Sequence, residues 1–216
     1  MNKFRKSGSL SCFFVEGKMP SPHGEAFLSA LTNQRFRTIE DAASEEASYG
    51  WVTAEDPTGE SFTADELEHG EAVWLRMRAD KKRLPSKWVS IYRAAAERSS
   101  GKKLSARERK ELKQDLFDKL LPRVLPSVGF VDALYFPEKK VVLLFATGRA
   151  LQEAFDGLFC RTFDARLLSA DPYLLALRSG ISEAQQRALD QVSPVKWPHE
   201  KRAKRGKPEA APLEAE

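Results

Sequence analysis

Little in this chain could hold a metal ion or close a disulfide. Three histidines (His23, His69 and His199) and two cysteines (Cys12 and Cys160) are spread over 216 residues. No two of them have metal-ligand spacing, which argues against a zinc site built from a local motif. Each cysteine sits inside an apolar run and reads as a small buried hydrophobe of a reducing compartment. Long apolar runs are missing too. The longest is VVLLFA at 141–146, far short of the ~18 residues of a membrane span. The opening MNKFRKSGSLSCFF has a basic start but no sustained apolar core and no small-residue cleavage site. No signal peptide is therefore expected, and the expected location is the cytoplasm. The nucleophile elbow, the phosphate-binding loop and the dinucleotide glycine motif are all absent, so no cofactor is expected. A two-metal nuclease needs several converging carboxylates. Here the acids crowd a loop-like stretch, and Asp132 has no evident partner on its strand. A non-enzymatic role is the expectation.

What the chain does have is charge, unevenly placed. Arg76 to Lys113 holds fourteen Lys or Arg against four acids, an excess of +10 in a chain whose total is +4. Residues 40–71 hold eleven Asp or Glu and no Lys or Arg. An acidic segment followed at once by a basic one is a statement about partners rather than about fold. With 42% apolar residues, thirteen Phe and four Trp, the chain can still bury a real core.

Periodicity and breakers predict an α+β fold with a mostly antiparallel sheet and packed helices. Leu10–Glu16 is apolar on both faces and reads as a central strand. Ser21-Pro22 supplies a helix start, the helix running to about Asn33 with Phe27, Leu28 and Leu31 inward. Phe36–Ile39 reads as a short strand. The acidic stretch 40–71 reads mostly as loop, broken by Tyr49-Gly50-Trp51-Val52. From Ala72 to Arg78, Val73, Leu75 and Met77 alternate with Trp74, Arg76 and Arg78, as in a half-buried strand. Pro85 opens a helix that Gly101 stops. Ser105 and Glu108 form a capping box for the next, with Leu112, Leu116 and Leu120 as its inner stripe. Phe130–Phe136 and Val141–Ala146 make a hairpin around residues 137–140. Thr147 caps a helix carrying Phe155 and Leu158, Ala165–Ser169 is a strand, and Pro172 opens a short helix. Residues 193–216 have the composition of a disordered charged tail. The resulting division is a region 8–182, comprising the acidic loop 40–71, a basic strand–helix–helix 72–121 and a β-β-α-β unit 129–170, followed by the tail. No internal repeat is evident.

DNA presents one charge per ~1.7 Å of axis, and a surface rich in Lys and Arg gains free energy by releasing its condensed counterions. Arg76, Arg78, Lys81, Lys82, Arg83, Lys87, Arg93, Lys102, Lys103, Arg107, Lys110 and Lys113 could form one patch on a strand and two helices. A merely solvated helix face would account for the alternating signs of 107–111. It would not account for an excess of +10. No helix-turn-helix, zinc finger or aromatic RNA-binding signature is visible, so backbone contact without base readout is expected. Trp74 and Trp88 could stack on single-stranded bases, but core packing is the expectation for both. The competing reading is a protein-interaction module in which acidic and basic segments of two copies pair head to tail.

One ordered set of residues is more specific. Gly50-Trp51-Val52, an alternating strand, Lys82-Arg83-Leu84-Pro85-Ser86, Gly101-Lys102-Lys103-Leu104-Ser105 with Glu108, Glu111-Leu112-Lys113 and Leu120-Leu121-Pro122-Arg123 follow one another at spacings that resemble the recombination-associated RdgC family. Phe130–Leu134, the strand–helix–strand of 141–170 and Arg178-Ser179-Gly180 continue the similarity, which spans roughly 8–182. The resemblance implies a bacterial, nucleoid-associated protein that forms ring-shaped homodimers around duplex DNA. It also implies binding without sequence preference and restraint of RecA-promoted strand exchange. Single strands are a second possible ligand from the tryptophans, and the short apolar runs lead to no expected membrane partner. The ring-lining cations it suggests are Lys82, Arg83, Lys87, Lys102, Lys103, Arg107 and Lys113. Members of the family continue into a C-terminal region that helps close the ring. A chain that frays after residue 193 is expected to form an open clamp or not to encircle DNA, with Lys201, Arg202, Lys204, Arg205 and Lys207 as a flexible basic arm. Some members carry an exonuclease label, which the missing acidic cluster does not support.

Overall fold

The alternating and doubly apolar runs of the sequence become one antiparallel sheet. A computed structural model describes residues 8–42 and 44–193. The expected disordered tail lies, but for its first residue, outside the described residues. In chain order the elements are β1 (Ser11–Glu16), α1 (Glu25–Asn33), β2 (Ala47–Val52), α2 (Ala64–Leu67), β3 (Glu68–His69), β4 (Ala72–Lys81), α3 (Ser86–Ser100), α4 (Ala106–Leu120), β5 (Ser127–Phe136), β6 (Val141–Leu144), α5 (Arg149–Phe163), β7 (Arg166–Ser169), α6 (Pro172–Arg178) and α7 (Glu183–Asp190). The strands run in the order β2-β4-β5-β6-β1-β7, with β3 also on β4. This is the α+β fold expected, and β1 is an inner strand between β6 and β7.

Burial follows the period-two rule. Val73, Leu75 and Met77 of β4 join Val131, Ala133 and Tyr135 of β5 in a core with Phe27 and Leu31 of α1 and Phe155, Leu158, Phe159 and Phe163 of α5. Trp51 stands at the centre of this layer, edge-on to Phe155 with ring centroids 5.5 Å apart. Its indole N–H donates to Thr162 Oγ1 at 2.7 Å, so the ring is buried without an orphaned polar atom.

Several local expectations are corrected. Ser21-Pro22 forms a turn and not the helix start, since Ser21 O accepts from Gly24 N and Gly24 is the residue before α1. Residues 36–39 make no regular strand. Arg35 has only an isolated parallel bridge to Trp51, although Gln34 and Phe36 exchange backbone bonds of 3.0 and 2.9 Å with Trp51. That close laying of two backbones requires Gly50, where an added Cβ would stand 2.3 Å from Phe36 Cα. The acidic stretch is more regular than expected, since it contains β2, α2 and β3. Gly148 and not Thr147 precedes α5. Neither cysteine is buried: Cys12 is half-buried, which raises its thiol pKa, and Cys160 is exposed.

Among the described residues, 172–193 belong to a separate compact unit. Within it the Ser182/Gln185 capping box starts α7, an unexpected helix, and the Tyr173 hydroxyl donates to Asp190 at 2.7 Å.

Candidate nucleic-acid interface

The basic run divides into two populations that the sequence does not separate. The first, on β4 and just after it, is committed to the fold. Arg76 donates from Nε and Nη2 to Asp132 at 2.6 and 3.1 Å, and Trp74 Nε1 donates to the same carboxylate at 2.9 Å. Asp132 therefore has two partners, where the sequence offered none. Arg76 also lies over the Trp74 ring at 4.9 Å and the Phe130 ring at 5.6 Å, a favourable placement for a guanidinium. Arg78 grips the buried Asp80 through Nε and Nη2 at 2.9 and 2.8 Å, donates to Pro57 O at 3.0 Å and stacks 4.1 Å over Phe36. Lys81 is half-buried, its ammonium 5.5 Å above Tyr49.

Lys82 is the clearest correction. It is 2% exposed, and its Nζ donates to the carbonyls of Glu40 and Ala42 at 2.9 and 2.8 Å. Its own N–H donates to Glu46 O at 2.8 Å. A buried ammonium so satisfied is a bolt between β4 and the acidic segment, and it cannot line a DNA-binding surface.

The second population sits on the α3–α4 hairpin. Helix α3 buries no residue, and α4 buries only Leu116 of the expected stripe, with Leu112 and Leu120 half-buried. Val89, Tyr92 and Ala96 form the corresponding half-buried stripe of α3. Gly101, at φ +63°, lets the chain turn out of α3. Ser105 and Glu108 then form the capping box that starts α4. The Ser105 hydroxyl and amide, and next the Lys102 charge, hold the Glu108 carboxyl below its usual pKa. That keeps a negative charge at the helix N-terminus, where it is favoured.

With so little of the hairpin inside, its cations face water. Arg83, Lys87, Lys103, Lys110 and Lys113 are exposed and make no ion pair among the described residues. Arg93, Lys102 and Arg107 have loose surface partners in Glu97 (4.0 Å), Glu108 (3.5 Å) and Glu111 (2.8 Å), pairs that hold only weakly against competing phosphates. The hairpin root also exposes Trp88 (52%) against expectation, with Ile91, Leu125 and Val128. Arg35 and Arg37, exposed and without an ion-pair partner among the described residues, lie outside the basic run, where no local excess of charge marks them. Among the described residues no group of three or more His, Cys, Asp or Glu is placed to hold a metal ion, and no helix is long and apolar enough to cross a membrane.

An antiparallel sheet backed by helices, from which a hairpin of exposed and mostly unpaired cations emerges, is an α+β module with a basic surface. Residues 9–171 match the family model described as "Putative exonuclease, RdgC". The chain belongs to the RdgC family. Membership implies a recombination-associated, DNA-binding protein. No curated protein matches the chain.

Proposed function

We propose that this protein binds duplex DNA without sequence preference through the exposed cations of the α3–α4 hairpin, acting as a homodimeric clamp that restrains RecA-promoted strand exchange at the nucleoid. The observation that carries the reading is the hairpin itself. Lys87, Lys103, Lys110 and Lys113, exposed and without an ion-pair partner among the described residues, occupy an element whose helices fully bury only Leu116, and Arg83 stands just before it. Side chains free of internal partners give up little when they meet phosphates, and counterion release supplies the drive. Exposed Trp88, Ile91, Leu125 and Val128 at the root of the hairpin support a protein–protein contact beside the basic face, as a dimer needs. We infer that the protein is not a nuclease. The acids of 40–71 are separately exposed or tied into local caps and turns, an arrangement unsuited to a paired-metal site.

Fluorescence anisotropy at low salt tests the reading. The wild type is expected to bind duplex DNA, and Lys103→Glu/Lys110→Glu/Lys113→Glu to lose most of that affinity; equal binding by the two places the interface elsewhere. End-labelled duplex incubated with Mg²⁺ or Mn²⁺ should stay intact, and cation-dependent shortening would establish cleavage. The exposed, largely unpaired acids of 40–71 favour a second reading, head-to-tail self-association. Its mark is salt-sensitive oligomerisation with no DNA affinity.

A further inference from the structure

A cleft of about 570 Å³, lined by no residue of α3 or α4, opens at the β2 edge of the sheet between the 35–40 segment and the loop at 58–60. Its volume is in the range of ligand sites. Arg35, Arg37 and Arg78 line it together with Thr58, and Glu40 and Glu60 are on its wall. Neither glutamate forms an ion pair with any of the three arginines, and Arg35 and Arg37 have no ion-pair partner among the described residues.

Arg78 is held in place before any ligand arrives. Asp80 takes Nε and one Nη2 hydrogen, Pro57 O takes one Nη1 hydrogen, and the Phe36 ring supports the guanidinium plane. Of the five N–H groups of an arginine, one on each terminal nitrogen is left for an incoming acceptor. The opposite wall is also fixed. Asp56 accepts from the Thr58 hydroxyl and from the amides of Thr58, Glu60 and Ser61. One anchored guanidinium and two that have no ion-pair partner around a nucleotide-sized opening match a tetrahedral oxyanion, which arginine recognises by paired N–H donors.

We propose that this cleft is a phosphate-ester site, separate from the α3–α4 surface. The ester is supplied by a strand of the bound nucleic acid or by a free nucleotide. The strand source rests on the DNA-binding reading above; the free-nucleotide source does not.

The test uses the full chain, with Arg35→Ala/Arg37→Ala as the site variant and Lys18→Ala/Arg166→Ala as a control that removes two exposed cations elsewhere. Both pairs are surface residues, so folding should survive, and the thermal transition of each variant verifies it. Duplex affinity is measured across a salt series, and AMP binding by calorimetry. If a strand phosphate occupies the cleft, the site variant shows a log K against log salt slope shallower by about 1.8, two contacts at ~0.9 each, and the control does not. If a free nucleotide occupies it, the wild type and the control bind AMP, the site variant does not, and the duplex slope is unchanged. Equal slope changes in site variant and control, or no change in either arm, overturn the proposal. Should the wild type bind no duplex at all, the DNA-binding reading falls, and the AMP arm alone decides the cleft.

Discussion

At the scale of single residues, the cations of this protein have two occupations that their chemistry alone does not distinguish. Lys82 and Lys103 are both lysines of the basic run, yet one is bolted to carbonyls forty residues away in sequence and the other projects into water. Lys82→Ala leaves two part-buried carbonyls without their charged donor and is predicted to cost about 1–3 kcal/mol of stability. Lys103→Ala should leave the unfolding midpoint unchanged while weakening DNA binding. Chemical denaturation of the two variants separates the roles, and equal stability losses would contradict the assignment. Gly50→Ala forces a Cβ into the backbone of Phe36 and is predicted to cost on the order of 3 kcal/mol by overpacking. A stable Gly50→Ala protein would mean that the two segments are not so closely laid. Asp56 supplies a pH dependence. Burial alone would raise its carboxyl, but the Thr58 hydroxyl and the amides of Ser61, Thr58 and Glu60 outweigh that and hold it at about 2, below the ordinary 3.8. A depressed carboxyl contributes stability that is complete above the ordinary value and drains away as the pH falls through about 2. Wild type should therefore exceed Asp56→Asn in stability at pH 6 and lose that advantage by pH 2; a constant difference across this range would contradict the role.

Elements were legible where their signals are local. The Ser105/Glu108 box, the αL glycine after α3, the alternation of β4 and the turn at 137–140 each lie within a few residues of what they specify, and each is found where the sequence put it. What the sequence hid depends on distant partners. Asp132 is satisfied by Trp74 and Arg76 from fifty-eight and fifty-six residues away, and the 36–39 segment finds β2 only through the gap at Gly50. Ser21-Pro22 misled because the same residues that start helices also make turns. At the site, the hairpin's basic character was readable from charge alone. The exposure of Trp88 and Ile91 was not, because large apolar residues on a helix have the composition of a packed face. If the hairpin is a surface-binding element rather than part of the core, the Lys103→Glu/Lys110→Glu/Lys113→Glu variant should unfold at the wild-type temperature in a melting scan. A large drop would mean that the hairpin carries stability.

For the whole molecule, the acidic 40–71 and basic 76–113 segments do not neutralise one another. Lys82 joins them through main-chain carbonyls, and most of their charged tips remain in solvent. Basic side chains that stay in solvent are suited to orienting the molecule on a polyanion. On the proposed function the exposed hairpin cations meet the DNA backbone and read no bases. The most direct measurement is duplex binding by fluorescence anisotropy across a salt series, with one mixed and one AT-rich sequence. Each phosphate contacted contributes about −0.9 to the slope of log K against log salt. The four free hairpin lysines together with Arg83 predict a slope of about −4 or steeper that is the same for both duplexes. A flat line, or no binding at low salt, would contradict the claim.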